Sequence, residues 1–195
     1  MTVQRFSQES ATATAWKNGG GSTREIGSWP PGSGLDDFDW RVSIATIEAS
    51  GPFSVFTGVD RTIMLLAGDG VQLRGEGVKH LLDTLHEPFA FSGDVAIQCT
   101  LLGGESTDFN VMSRRGRCRA EVRIVEDRPA LLQRSRRGLL MSIDGHWRVS
   151  GSQLTQGQGI WWADEAQEWD LEPASRGARL VVVDIHDADE IESSP

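Results

Sequence analysis

The chain has no tyrosine anywhere in its 195 residues, which removes the phenol from any proton-transfer scheme. It has two cysteines, Cys99 and Cys118. They form no CxxC or other metal-like spacing, so they read as two small buried hydrophobes rather than a redox pair. Only Lys17 and Lys79 supply lysine. The four histidines, His80, His86, His146 and His186, include no HxH pair, and His80 and His86 lie six apart, a spacing that suits neither a strand face nor a helix face. They read as surface or turn residues, and neither a bound metal nor any other cofactor is expected. No GxSxG elbow is present. No run approaches the roughly eighteen apolar residues of a membrane span, and the N-terminus lacks the charged start and apolar stretch of a secretory signal. A cytoplasmic address is the expectation. The net charge of −9 argues against nucleic-acid or anionic-membrane binding.

What the chain does have is strand pattern. Trp40, Val42 and Ile44 alternate with Arg41, Ser43 and Ala45 from Trp40 to Ile47, the period of a pleated strand. Thr62 to Ala67 is a short apolar run, and Gly68-Asp69-Gly70 then leads into Val71 to Arg74, a pattern that predicts a hairpin. Phe89 to Phe91, a Ser92-Gly93-Asp94 turn and Val95 to Leu102 follow. The second half repeats this grammar. Leu139 to Ile143, Asp144-Gly145 and His146 to Val149 echo the first hairpin. Ile160 to Asp164 and Arg179 to Ile185 echo the segments after it. The offsets drift, so the repeat is one of architecture. No amphipathic helix of four turns is visible, although Ala163 to Trp169 and Asp184 to Glu192 could each form a brief one. The fold class that follows is all-β, two antiparallel β-barrels or sandwiches in one chain. The two halves are expected at 1–105 and 106–195, sharing a core.

Charge is uneven along this frame. Nine arginines lie between Arg114 and Arg137 against Glu121, Glu126 and Asp127, while the tail from Asp184 to Glu192 is acidic and reads as solvated. From Arg117 to Ile124 the arginines and Glu121 alternate with Cys118, Ala120, Val122 and Ile124, as in a strand with one wet face. Trp147, Trp161, Trp162 and Trp169 read as core.

The segment Trp16-Lys17-Asn18-Gly19-Gly20-Gly21-Ser22-Thr23-Arg24-Glu25-Ile26 stands apart. Three consecutive glycines beside a tryptophan let the backbone approach something closely, and polar and cationic groups crowd the same point. Its spacing fits no phosphate loop, so an anion site and a tightly built turn both stay open. Elsewhere, Arg41, Ser43, Arg61 and Asn110 interrupt apolar strands. Arginine grips a carboxylate in a fork, so their convergence would make a pocket for a small carboxylate. Each could equally sit in an ordinary ion pair, with Asp36, Asp37, Asp39 and Asp60 as available partners. Asp108 and Asp60 could act as bases, but neither has a histidine nearby in sequence.

Taken in order and spacing, Trp16 to Ile26, Asp39-Trp40-Arg41-Val42-Ser43-Ile44-Ala45, Gly51-Pro52-Phe53-Ser54, Gly58-Val59-Asp60-Arg61 and Asp108-Phe109-Asn110-Val111-Met112 resemble the HutD/Ves family. The similarity runs from about Trp16 to Ile185. It implies a bicupin, two jelly-roll-like barrels in one chain, and a role in bacterial histidine utilisation, whose intermediates are urocanate and formylated or formimino derivatives of glutamate. Carried across residue by residue, it places a ligand site at Trp16, Lys17, Asn18, Gly19, Gly20, Arg24, Arg41, Ser43, Arg61 and Asn110. The expectation is a metal-free protein that binds a small carboxylate such as urocanate or a formylglutamate-like molecule and modulates histidine breakdown, with homodimer formation left open. Two rivals stand beside it: a metal-independent hydrolase or isomerase acting on a pathway intermediate, and a protein-interaction module built on the arginine-rich face.

Overall fold

Alternating β-branched residues and glycine turns leave no stretch that could bury itself as a helix, and the chain folds accordingly. The computed structural model describes residues 2–188, and among them nineteen strands account for nearly all regular structure. The chain divides into two compact units. One is Thr12–Arg117; the other joins the segment ending at Ala11 to the segment starting at Cys118.

Unit Thr12–Arg117 has two antiparallel sheets. The larger contains β2 (Ala13–Ala15), β3 (Gly21–Trp29), β4 (Trp40–Ile47), β6 (Val59–Ala67), β9 (Phe89–Ser92) and β11 (Ser106–Arg114), in the order β2-β3-β4-β11-β6-β9. The smaller is β5-β10-β7-β8, made by β5 (Gly51–Pro52), β7 (Val71–Gly75), β8 (Val78–Leu82) and β10 (Gln98–Leu101). The inward faces of the two sheets bury Ile47, Ile63, Leu65, Leu73, Leu82 and Cys99 in one apolar cluster. The expected strand over Trp40 to Ile47 is realised to the residue.

The other unit reuses the plan. Its larger sheet runs β1-β17-β14-β19-β12 and its smaller one β13-β18-β15-β16. The strands are β1 (Thr2–Ser7), β12 (Cys118–Glu126), β13 (Ala130–Ser135), β14 (Arg137–Asp144), β15 (Trp147–Val149), β16 (Ser152–Leu154), β17 (Gln158–Ala163), β18 (Gln167–Pro173) and β19 (Arg179–Asp187). The order β9-β6-β11-β4 in one unit matches β17-β14-β19-β12 in the other, so the repeat read in the sequence is present, except that the counterpart of Arg179 to Ile185 is β11 and not the segment Val95 to Leu102. The inward face here is hydrocarbon: Leu140, Trp147, Leu154, Ile160, Trp162, Leu180 and Val182 are all buried together. A Cβ at Gly138 would lie 2.5 Å from the Trp162 ring, so the indole fills the space a side chain would take.

Three sequence expectations need correction. The Gly68-Asp69-Gly70 turn does not close a hairpin, since β6 pairs with β11 and β9 while β7 pairs with β10 and β8. It carries the chain from one sheet to the other, and Ser106 Oγ holds it by accepting from the Gly70 amide at 2.9 Å. Asp144-Gly145 makes the same corner between β14 and β15. The brief helix considered over Ala163 to Trp169 is instead the end of β17, a connection over residues 164–166 and the start of β18. Of the acidic tail, Asp184 to Asp187 extends β19, and residues 189–192 lie outside those described. Cys99 and Cys118 are both buried, as expected.

Candidate functional site

Strand register decides which polar side chains can meet. Opposed residues of an antiparallel ladder share a face, and along one strand every second residue does. Across β3, β4, β11 and β6 the register sets Glu25, Ser43, Asn110 and Ile63 in one row. The row on one side holds Arg41, Met112, Arg61 and Phe91, and the row on the other holds Thr23, Ala45, Asp108 and Leu65. Arg41, Ser43, Arg61 and Asn110 therefore lie on one inward face, with Asp108 beside them.

Arg61 is the centre of this group. Its residue is only 6% exposed. Its Nη2 donates to Asn110 Oδ1 at 3.4 Å and its Nη1 to the Ser54 carbonyl at 3.5 Å, both neutral oxygens. Its Nε is buried with no acceptor. The guanidinium carbon lies 5.1 Å from the Phe91 ring centre, 5.4 Å from Phe53 and 5.6 Å from Phe56, a box of three aromatic faces. Cation–π contact offsets part of the loss of hydration, at about 0.5–2 kcal/mol for each ring. Burial still lowers the Arg61 pKa to about 10, against the opposing pull of Asp108, with the Arg41 charge lowering it a little further.

Asp108 is 2% exposed, and its Oδ1 is buried without a donor. Burial pushes its carboxyl up to about 7, although the Arg61 charge pulls the other way. A carboxyl poised near neutrality on a buried polar face can hold or release a proton under ordinary conditions.

The face opens towards Glu25. Arg41 Nε donates to Glu25 Oε2 at 2.8 Å, and Arg41 Nη1 to Ser43 Oγ at 3.3 Å. The Arg41 side chain is 11% exposed and that of Glu25 is 46% exposed. From Asp108 through Asn110 and Arg61 to Arg41 and Glu25, the polar groups thus run from the interior to solvent. Arg41 pairs with Glu25, and Asp60 pairs with Arg115.

The glycine phrase resolves as a turn. Trp16 N–H donates to the Gly21 carbonyl at 2.9 Å and Gly19 N–H to the Trp16 carbonyl at 3.0 Å, with Gly19 at φ 70°. A Cβ at Gly21 would sit 2.2 Å from the Thr46 carbonyl oxygen, so this position admits no side chain. Lys17, Asn18 and Gly19 are exposed, and Asn18 Oδ1 accepts from the Gly20 amide at 3.1 Å. Those residues and Gly20 build the turn and do not join Arg61. Arg24 pairs with Ile44, on the opposite face of the sheet, so it does not join Arg61 either. Trp16 stays next to the group through two contacts. Its Nε1 donates to Thr23 Oγ1 at 2.8 Å, and its ring meets Phe53 edge-on at 6.4 Å.

The sequence reading left Asp108, Glu25 and the three phenylalanines out of the site. The alternation Asp108, Asn110, Met112 in a strand was the available signal for Asp108. Phe53 and Phe56 sit in a segment without periodicity and gave none. Among the described residues no cluster of three or more His, Cys, Asp or Glu is arranged to hold a metal ion, and His80 stacks on Phe89 at 3.7 Å.

The architecture and this face place the chain among all-β proteins of cupin-like fold. A cupin 2 conserved barrel domain protein from Leptotrichia buccalis shares the fold at TM-score 0.61 and 8% identity, covering 93% of this chain and 96% of its own. The HutD family model matches residues 8–181, and the chain belongs to the HutD family. Protein Ves of Citrobacter koseri is 43% identical over 165 residues, 83% of this chain and 84% of the relative. HutD from Pseudomonas fluorescens SBW25, solved in a formate condition, superposes at TM-score 0.84 with 29% identity over 95% of this chain and 99% of its own. A conserved protein of unknown function from Pseudomonas aeruginosa PAO1 reaches 0.85 with 31% identity over 96% and 100%.

Proposed function

We propose that this protein binds a small organic carboxylate on the inward face of unit Thr12–Arg117 and thereby modulates histidine utilisation in the cytoplasm. In this reading each unit is a jelly-roll barrel of the cupin type, and only one of the two has a ligand site. Arg61 and Arg41 receive the carboxylate, while Ser43 and Asn110 complete its hydrogen bonds. The observation that carries the reading is the state of Arg61: buried, boxed by three phenylalanines, with Nε unbonded and no acidic group hydrogen-bonded to its fork. A buried guanidinium left with neutral acceptors is costly unless a ligand anion completes it. Urocanate and N-formylglutamate are the ligands that the family's association with histidine breakdown suggests, and the formate condition of the Pseudomonas fluorescens relative concerns an anion of the same chemistry.

Isothermal calorimetry with urocanate and N-formylglutamate tests this. The wild type is expected to give saturable heat with at least one of them, and Arg61→Ala is expected to weaken it by about tenfold or more, the loss of a charge-assisted hydrogen-bonded pair. Equal isotherms for the two proteins would remove Arg61 from the site.

One observation favours a second reading, that of a metal-independent hydrolase or isomerase. Asp108, with its carboxyl near 7, has the protonation behaviour of a general base. NMR of each intermediate incubated with the protein decides it, since turnover that Asp108→Asn abolishes is expected only of an enzyme.

A further inference from the structure

Resting on the carboxylate-binding reading, we propose that Asp108 is the proton-binding half of the same site, so that an organic anion and one proton enter together. Asp108 shares the inward face with Arg61, one row beyond Asn110, which the Arg61 fork already touches. Its Oδ1 is buried without a hydrogen-bond donor, and the charge that acts on it is that of Arg61. A ligand carboxylate arriving at Arg61 cancels the one cation that favours ionised Asp108 and adds a second negative charge beside it. Two carboxylates in one desolvated site hold a shared proton, because both cannot ionise at low cost. The protonated Asp108 then becomes a donor towards the ligand. It changes from an acceptor with nothing to accept into a group that distinguishes carboxylates from neutral analogues.

The surroundings leave Asp108 as the group that responds. From β6 the facing charge is Arg61, which stays protonated because its pKa is about 10. From β4 it is Arg41, already tied to Glu25 of β3 at the exposed end. From β10 it is the Cys99 thiol, which burial pushes up to about 12, with the Asp108 charge raising it further, so that it stays a thiol. His80 of β8 lies against Phe89 of β9, and β9 adds only aromatic rings to this face. The Asp108 carboxyl itself titrates near neutral pH, where a ligand can shift it. Linkage is reciprocal: a ligand that raises the proton affinity of Asp108 must lose its own affinity as protons are withdrawn.

The test is calorimetry at pH 7.5 with urocanate and N-formylglutamate, run in phosphate and in Tris, whose ionisation heats differ widely. The expected result is uptake of about three quarters of a proton per ligand bound, with affinity falling by close to tenfold per pH unit above about pH 8. In Asp108→Asn the uptake should vanish and affinity should lose its slope between pH 6.5 and 8.5. Heat with no buffer dependence in the wild type would overturn the role of Asp108 while leaving carboxylate binding intact. Buffer-dependent heat that survives in Asp108→Asn would overturn it as well and move the proton to His80 or Glu25. No heat with either compound would overturn the binding reading itself. Should Asp108→Asn fail to fold, Asp108→Ser supplies the same comparison, and wild-type heat without buffer dependence still overturns the role of Asp108.

Discussion

Replacing Asp108 by asparagine should stabilise the protein at alkaline pH and leave it unchanged in acid, an inversion of the usual outcome for a buried site. An ordinary aspartate ionises near 3.8, and in the folded chain Asp108 does so at about 7. Between those values the folded molecule holds a proton that the unfolded chain has released. Stability contributed by this group is therefore complete below about pH 4 and declines as pH rises through about 7. Three pKa units at about 1.4 kcal/mol each make the decline about 4 kcal/mol. Arg61 does not confuse the window, because its own titration lies near 10. Asparagine mimics the protonated carboxyl and does not titrate, so the variant should pull away from the wild type between about pH 4 and 7. At a urea slope of about 2 kcal/mol/M, the midpoints should separate by about 2 M at pH 8.5 and coincide at pH 4. Urea unfolding followed by tryptophan fluorescence at half-unit pH steps measures this. The difference between the two proteins cancels every other titrating group. Midpoints that run parallel across the whole range would refute the reasoning.

Two stability predictions stand independently of any ligand. Gly21→Ala should cost about 3 kcal/mol, because its Cβ would press on the Thr46 carbonyl where no flexible side chain can yield; thermal unfolding reports it. Leu140→Ala should cost about 2–5 kcal/mol by leaving a cavity among Trp162, Ile160 and Val182, read from the urea midpoint.

The strands were legible from apolar alternation or short apolar runs between glycine turns, and Trp40–Ile47 could be named to the residue although both of its faces are largely buried. The corners were not. Asp69-Gly70 and Asp144-Gly145 have the composition of hairpin turns, and nothing local tells a strand whether its successor pairs with it or crosses to another sheet. Arg41, Ser43, Arg61 and Asn110 stood out as polar intrusions in apolar strands, which is why they could be named. Arg24 was named on the same grounds and lies on the other face. A bulge between Glu25 and Gly27 shifts the register of β3, so Glu25 rather than Arg24 meets Arg41. Asp108 was weighed only as a lone base. Its importance depends on lying one row from Asn110 and near Arg61, and distances between strands are not written in a linear chain. The glycine phrase was conspicuous for its chemistry yet serves geometry, since a backbone that must pass close to Thr46 needs the same residues as one that must approach an anion.

The hydrocarbon interior of the second unit has a consequence for how the two halves can vary. With Trp162 occupying the room that Gly138 leaves, that half keeps the strand order of its counterpart around an apolar interior. A substitution inside it acts through packing volume, whereas one at Arg61 or Asp108 changes the charge and hydrogen bonding of a buried polar face.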